Sequence, residues 1–211
     1  MSCGHHGCGE EFAFQPRPAH VEGFRPRGGR GNSHGNRIRF PLRSPLVALG
    51  LSTALLWALG AGEVDAGERV AFEDAGIARG TIVIHTAERR LYLLLGSGEA
   101  MAYPVGVGRA DRQWTGLSSI TGKYVRPNWA PPAAVKRDSP NLPDMIPGGA
   151  PNNPLGVAAM TLAGGEYAIH GTNRPNSVGG FVSYGCIRMT NEDVVDLYDR
   201  VRIGTPVMVQ R

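Results

Sequence analysis

Eight prolines fall between residues 127 and 154: Pro127, Pro131, Pro132, Pro140, Pro143, Pro147, Pro151 and Pro154. Each removes an amide donor, so no sheet ladder runs far through this stretch. Residues 108–156 are therefore read as largely irregular, with short strands only around 119–125 and 157–162. Within them, 138–153 reads as one long excursion. Long loops in compact domains serve as lids or binding loops, or stay disordered.

On either side the pattern is β. Thr81-Ile82-Val83-Ile84-His85 is β-branched and apolar, and Leu91-Tyr92-Leu93-Leu94-Leu95 follows after a polar turn. Gly96-Ser97-Gly98-Glu99 turns again, and 101–107 is a third strand. A short strand is expected at 166–170 and a closing one at 206–209. Residues 191–201 are the one clear helix, with Thr190 as N-cap, acids at 192 and 193, and Val194, Val195, Leu197 and Val201 on its apolar side. The expectation is a mainly β fold with one late helix, without internal repeats.

Residues 46–62, LVALGLSTALLWALGAG, carry no charge. Arg37, Arg39 and Arg43 precede them, and Val64-Asp65-Ala66 offers small residues at cleavage positions. That is the layout of a secretory signal over 37–66; an uncleaved N-terminal anchor is the other reading. Residues 1–36 are an atypical extension rich in Gly, Arg, His and Pro, read as a mis-called start. Cys3, His5, His6 and Cys8 within it could in principle bind a metal, but no second ligand cluster accompanies them and cleavage would remove them, so no metal or other cofactor is expected. Residues 67–79 are read as a linker and 80–211 as the folded domain. The net charge of +4 divides evenly about residue 66. The domain is thus close to neutral, and it lacks a basic run interleaved with aromatics, so nucleic acid is not an expected partner.

Cleavage after Ala66 leaves Cys186 as the one thiol of the mature chain, so an internal disulfide is impossible. A lone cysteine is a small buried hydrophobe as readily as a nucleophile. In an oxidising compartment, though, a free thiol needs a reason. Its neighbours offer one. His170 ends a strand sixteen residues earlier, and the polar loop between them holds Gly171, Gly179, Gly180 and Gly185. An imidazole brought back onto the thiol removes its proton. Gly185 lets the backbone approach a substrate, and the amides of Tyr184, Gly185 and Cys186 are candidate oxyanion donors.

The string I-H-G-T and, after the Gly-rich loop, S-x-G-C-I-R-M resembles the motif of the YkuD L,D-transpeptidase family. Leu91-Tyr92, Pro104-Val105-Gly106 with Gly108, and Asn153-Pro154-Leu155-Gly156 extend the likeness over roughly 80–210. The resemblance implies a YkuD-like β-sandwich with the site at one end and the helix after the cysteine motif. It implies Cys186 as nucleophile and His170 as base then acid, oriented by the Gly171 carbonyl. Ser183 is implied to hydrogen-bond within the site. Arg188 is implied to hold a substrate carboxylate, with Asn173 and Thr172 toward the substrate. The implied reaction is attack on a peptidoglycan tetrapeptide stem, release of D-Ala, and a 3→3 cross-link to a second stem. A lipoprotein lysine, a D-amino acid or water are alternative acceptors, the last making an L,D-carboxypeptidase. Carbapenems are implied inhibitors, and an exported, periplasmic location follows. Tyr184 departs from the family's commonest form, which has His there. A catalytically silent wall-binding module is the non-enzyme alternative.

Overall fold

The structure is a computed structural model and describes residues 66–73, 76–165 and 167–211. The extension, the signal segment up to residue 65, and Cys3, His5, His6 and Cys8 lie outside the described residues. In chain order the elements are β1 (Glu68–Ala71), β2 (Ile82–His85), β3 (Arg90–Gly96), β4 (Glu99–Pro104), β5 (Val107–Gly108), β6 (Gly116–Val125), α1 (Ala133–Asp138), β7 (Ala158–Leu162), β8 (Ala168–His170), β9 (Phe181–Ser183), β10 (Ile187–Arg188), α2 (Asn191–Arg200) and β11 (Pro206–Gln210). Single 3-10 turns occupy Ala110–Arg112 and Pro175–Ser177.

Nine strands form one sheet in the order β1-β4-β3-β2-β11-β6-β7-β8-β10, and β5 pairs with β9 separately. The meander β2-β3-β4 is antiparallel, and β11 returns parallel to β2. In β2, Ile82 and Ile84 enter the main core while Val83 joins a second cluster with Leu94 and Ala100 on the other face. Burial on both faces explains the unbroken apolar runs of the central strands. The long strand β6 makes the fold's corner. Gly116–Ser119 pair with β11, Ile120–Val125 pair with β7, and the register slips between Ile120 and Gly122. A strand that changes partner across a bulge carries the sheet from one layer to the next. Ile82, Leu91, Tyr103 and Val207 from one side meet Met160, Leu162, Ile169 and Ile187 from the other in one buried cluster. The architecture is the expected β-sandwich.

α2 closes that core with Val194, Leu197 and Val201. The Thr190 hydroxyl accepts from the Asp193 amide at 3.1 Å, the capping bond its position calls for. Val195, placed on the apolar side by the sequence, is 45% exposed. It lies one step of about 100° from the Val194–Leu197–Val201 stripe.

Three further expectations are corrected. The 67–79 linker contains β1, which pairs antiparallel with β4 and extends the sheet. Its alternation is too polar to announce a strand, and it serves as an edge, where only one face of the ladder needs a partner. The single strand expected at 101–107 breaks after Pro104, because Gly106 turns to bridge Arg188. The stretch 108–156, expected to be irregular between two short strands, holds a second helix, α1, which starts right after Pro131-Pro132, where proline leaves the first helical turn undisturbed. Glu166, expected at the start of a strand, lies outside the described residues.

Candidate active site

β8 ends in His170, and β10 lies parallel beside it, with Ile187 opposite Ile169 and Arg188 opposite His170. A parallel pair needs a crossover of a dozen or more residues. The segment between His170 and Cys186 supplies it, which gives their spacing a topological reason. Cys186 sits immediately before β10. It shares a cleft of about 440 Å³ with His170, Asn173, Arg174, Ser183, Tyr184 and Arg188. Cys186 is half-buried there, whereas His170 is only 4% exposed.

Nδ1 of His170 lies 2.6 Å from the Gly171 carbonyl oxygen. A carbonyl only accepts, so Nδ1 carries the proton and Nε2 keeps its lone pair. Burial, seconded by the Arg188 charge, pushes His170 down to about 4, against the pull of the Gly171 bond. Burial likewise pushes the Cys186 thiol up, opposed by a backbone hydrogen bond with Ala168 and by Arg188. Both shifts favour the uncharged forms.

The turn from Ser183 to Cys186 is held by three hydrogen bonds. The Gly185 amide donates to Ser183 Oγ at 3.1 Å, and the Ser183 hydroxyl donates to the Cys186 carbonyl at 2.6 Å. Trp114 Nε1 donates to the Gly185 carbonyl at 2.9 Å. Gly185 has φ +124°, and a Cβ there would collide with the Tyr167 ring. Trp114 stacks on that ring with centroids 4.9 Å apart and 9° between planes. The Gly185 amide, expected among the oxyanion donors, is thus engaged by Ser183, and the glycine's part is conformational. The amides of Tyr184 and Cys186 donate to no protein acceptor among the described residues and stay available.

Arg188 lines the cleft. One guanidinium nitrogen donates to Ser177 Oγ at 2.9 Å, and its Nε is buried without a partner among the described residues. Arg174 lines the same cleft, and among the described residues no Asp or Glu does. Asn173 is an exposed lining residue. Thr172 is a correction: it is 2% exposed, lies outside the lining, and its hydroxyl accepts from the Arg174 amide at 3.0 Å. It shapes the loop from outside that lining.

The opposite wall comes from the proline-rich stretch 127–155: Trp129, Pro132, Val135, Leu142, Ile146 and Leu155. Trp129, Ile146 and Leu155 form a small core of their own. Asn153 ties it together, its amide nitrogen reaching the carbonyls of Pro127 and Pro147 and its oxygen accepting from Leu155. Tyr184 joins the two walls. Its hydroxyl donates to Asp138 at the end of α1, and Arg109 stacks over its ring at 4.2 Å while reaching Asp138 at 3.6 Å. Asn191 was not foreseen. Its Oδ1 accepts from the amides of Val157 and Thr172 at 3.3 and 3.0 Å, and a Cβ on Gly171 would strike it. It thereby fixes the peptide whose carbonyl orients His170. Its place just after the N-cap Thr190 signalled only a helix start.

A β-sandwich with one cleft lined by both a thiol and a carbonyl-oriented imidazole has the parts of a cysteine–histidine site. Residues 79–209 match the L,D-transpeptidase catalytic domain, YkuD, and the chain belongs to that family. Probable L,D-transpeptidase ErfK/SrfK of Salmonella typhimurium is 39% identical over 137 residues, covering 61% of this chain and 43% of the relative. Probable L,D-transpeptidase YbiS of Escherichia coli is 37% identical over 135 residues, covering 60% and 43%. The chain thus spans less than half the length of these relatives. An L,D-transpeptidase from Mycobacterium smegmatis superposes with a TM-score of 0.51 at 18% identity, covering 64% of this chain and 59% of that one, and shares its fold.

Proposed function

We propose that this chain is an exported peptidoglycan L,D-transpeptidase that forms 3→3 cross-links through a thioester on Cys186. His170 Nε2 takes the thiol proton as sulfur adds to the carbonyl between the third stem residue and the terminal D-Ala. The amides of Tyr184 and Cys186 receive the negative charge on the carbonyl oxygen. The imidazolium returns its proton to the departing D-Ala amine, leaving the acyl group on sulfur. The amine of a second stem then adds to the thioester, His170 collects its proton, and the thiol is regenerated. Gly171 plays the orienting part that a carboxylate plays in serine triads, without adding charge. Arg188, with Arg174 beside it, suits the carboxylates of such a stem, because guanidinium forks match that geometry. The observation that carries the reading is Cys186 sharing one cleft with carbonyl-held His170 and with Arg174 and Arg188.

The test is product analysis by mass spectrometry, using the full chain, purified disaccharide-tetrapeptide and a Cys186→Ala control. A dimer with loss of D-Ala, absent from the control, is expected. Tripeptide alone assigns an L,D-carboxypeptidase, and transfer only to a lipoprotein lysine assigns that acceptor. A folded protein that turns over nothing leaves the wall-binding reading. Carbapenems present a strained carbonyl to the same sulfur, so intact mass should show one adduct, lost in Cys186→Ala. Export through residues 37–66 predicts a mature N-terminus at Gly67, which N-terminal sequencing of the secreted protein checks.

A further inference from the structure

Three of the backbone polar groups around the nucleophile have assigned partners. Ser183 takes the Gly185 amide and the Cys186 carbonyl, and Trp114 takes the Gly185 carbonyl. Trp114 lies outside the cleft lining, so it touches no substrate there. A trans peptide is planar, with its C=O and N–H pointing to opposite sides. Pinning the Gly185 oxygen toward Trp114 therefore turns the Cys186 N–H away from Trp114. The stacked Tyr167 ring occupies the space next to Gly185, at a φ of +124° that only glycine holds without strain. Indole and phenol thus act together: the ring sets the backbone angle, and the indole N–H sets the peptide's rotation.

From this geometry we infer that Trp114 is a positioning residue that aims the Cys186 amide at the oxyanion. The inference rests on the acyl-transfer reading above and assigns Trp114 a task that packing alone does not need. Packing requires an aromatic ring, whereas aiming requires the N–H. The two are separable, because an oxyanion donor matters only when the thiol attacks a carbonyl. Alkylation at a saturated carbon generates no oxyanion, so it reports thiol reactivity alone.

The experiment compares two probes on the full chain, read at Cys186 by site-resolved mass spectrometry. Acylation by p-nitrophenyl acetate forms an acetyl thioester and releases p-nitrophenolate; alkylation by iodoacetamide forms a thioether and releases iodide. The variants are Trp114→Phe and Trp114 replaced by 3-benzothienylalanine, which keeps the shape and stacking but puts sulfur where the N–H was. Acylation is expected to slow about tenfold or more, a fraction of what losing an oxyanion donor outright costs. Alkylation should stay within about twofold, with the same pH dependence, because the His170–Cys186 pair is untouched. Unchanged acylation in either folded variant overturns the inference, as does a matching fall in both probes, which would assign Trp114 to general packing. These outcomes are independent of the stem-peptide assay, so loss of the transpeptidase reading and loss of this inference are told apart.

Discussion

At the scale of single residues, the site is governed by two shifts toward neutrality. Burial holds His170 near 4, well under the 6.5 of an exposed imidazole. The acid limb of kcat/KM for the free enzyme should therefore fall near pH 4, and a limb near 6.5 in a pH–rate profile would contradict a buried base. The same shift bears on stability. Between 6.5 and 4 the unfolded chain binds the imidazole proton that the folded chain refuses, so stability falls as pH drops through that window and levels off below it. The shift is worth about 3 kcal/mol. Denaturant titrations of wild type and His170→Gln across that range should show the slope flattened in the variant. Above pH 9 the raised Cys186 thiol acts from the other side, since the unfolded chain gives up that proton first and stability declines as pH rises.

At the scale of elements, α2 and α1 are held by different means. α2 presents one narrow stripe to the core, with Leu197 fully buried and Val195 45% exposed. Leu197→Ala should cost about 2–5 kcal/mol, and Val195→Ala about 0.5 kcal/mol or less, both measured by urea unfolding. α1 has six residues, far below the length at which a helix persists alone. Its ties are the apolar cluster of Trp129, Ile146 and Leu155, the Lys136 ammonium on the Leu142 carbonyl and Asp144, and the contacts of Asp138 with Tyr184 and Arg109. Tyr184→Phe keeps a ring beneath Arg109 and removes the hydroxyl. Hydrogen exchange should quicken across 133–139 while the global melting temperature barely moves, because the lost contact is exposed. Equal exchange in both proteins would show that α1 is held without the Tyr184 hydroxyl.

At the scale of the whole molecule, the sequence revealed what depends on local pattern and hid what depends on pairing. The meander β2-β3-β4, the capped helix and the thiol–imidazole motif were legible, because apolar runs, Thr190 and Cys186 announce themselves within a few residues. β1 was not, since Glu68-Arg69-Val70-Ala71 gains its partner from residues some thirty positions later. Nor was the true part of Thr172, Gly185 or Asn191, whose side-chain and amide partners are set only when β8, β10 and the start of α2 come together. The parallel bridge between His170 and Arg188 has a thermal consequence. The backbones of these two residues are held by the sheet itself, at the separation of neighbouring strands, not by a loop free to loosen early. Inactivation on heating should then be as cooperative as unfolding: catalytic activity and near-ultraviolet ellipticity should vanish in one transition, with no inactive but folded plateau between them.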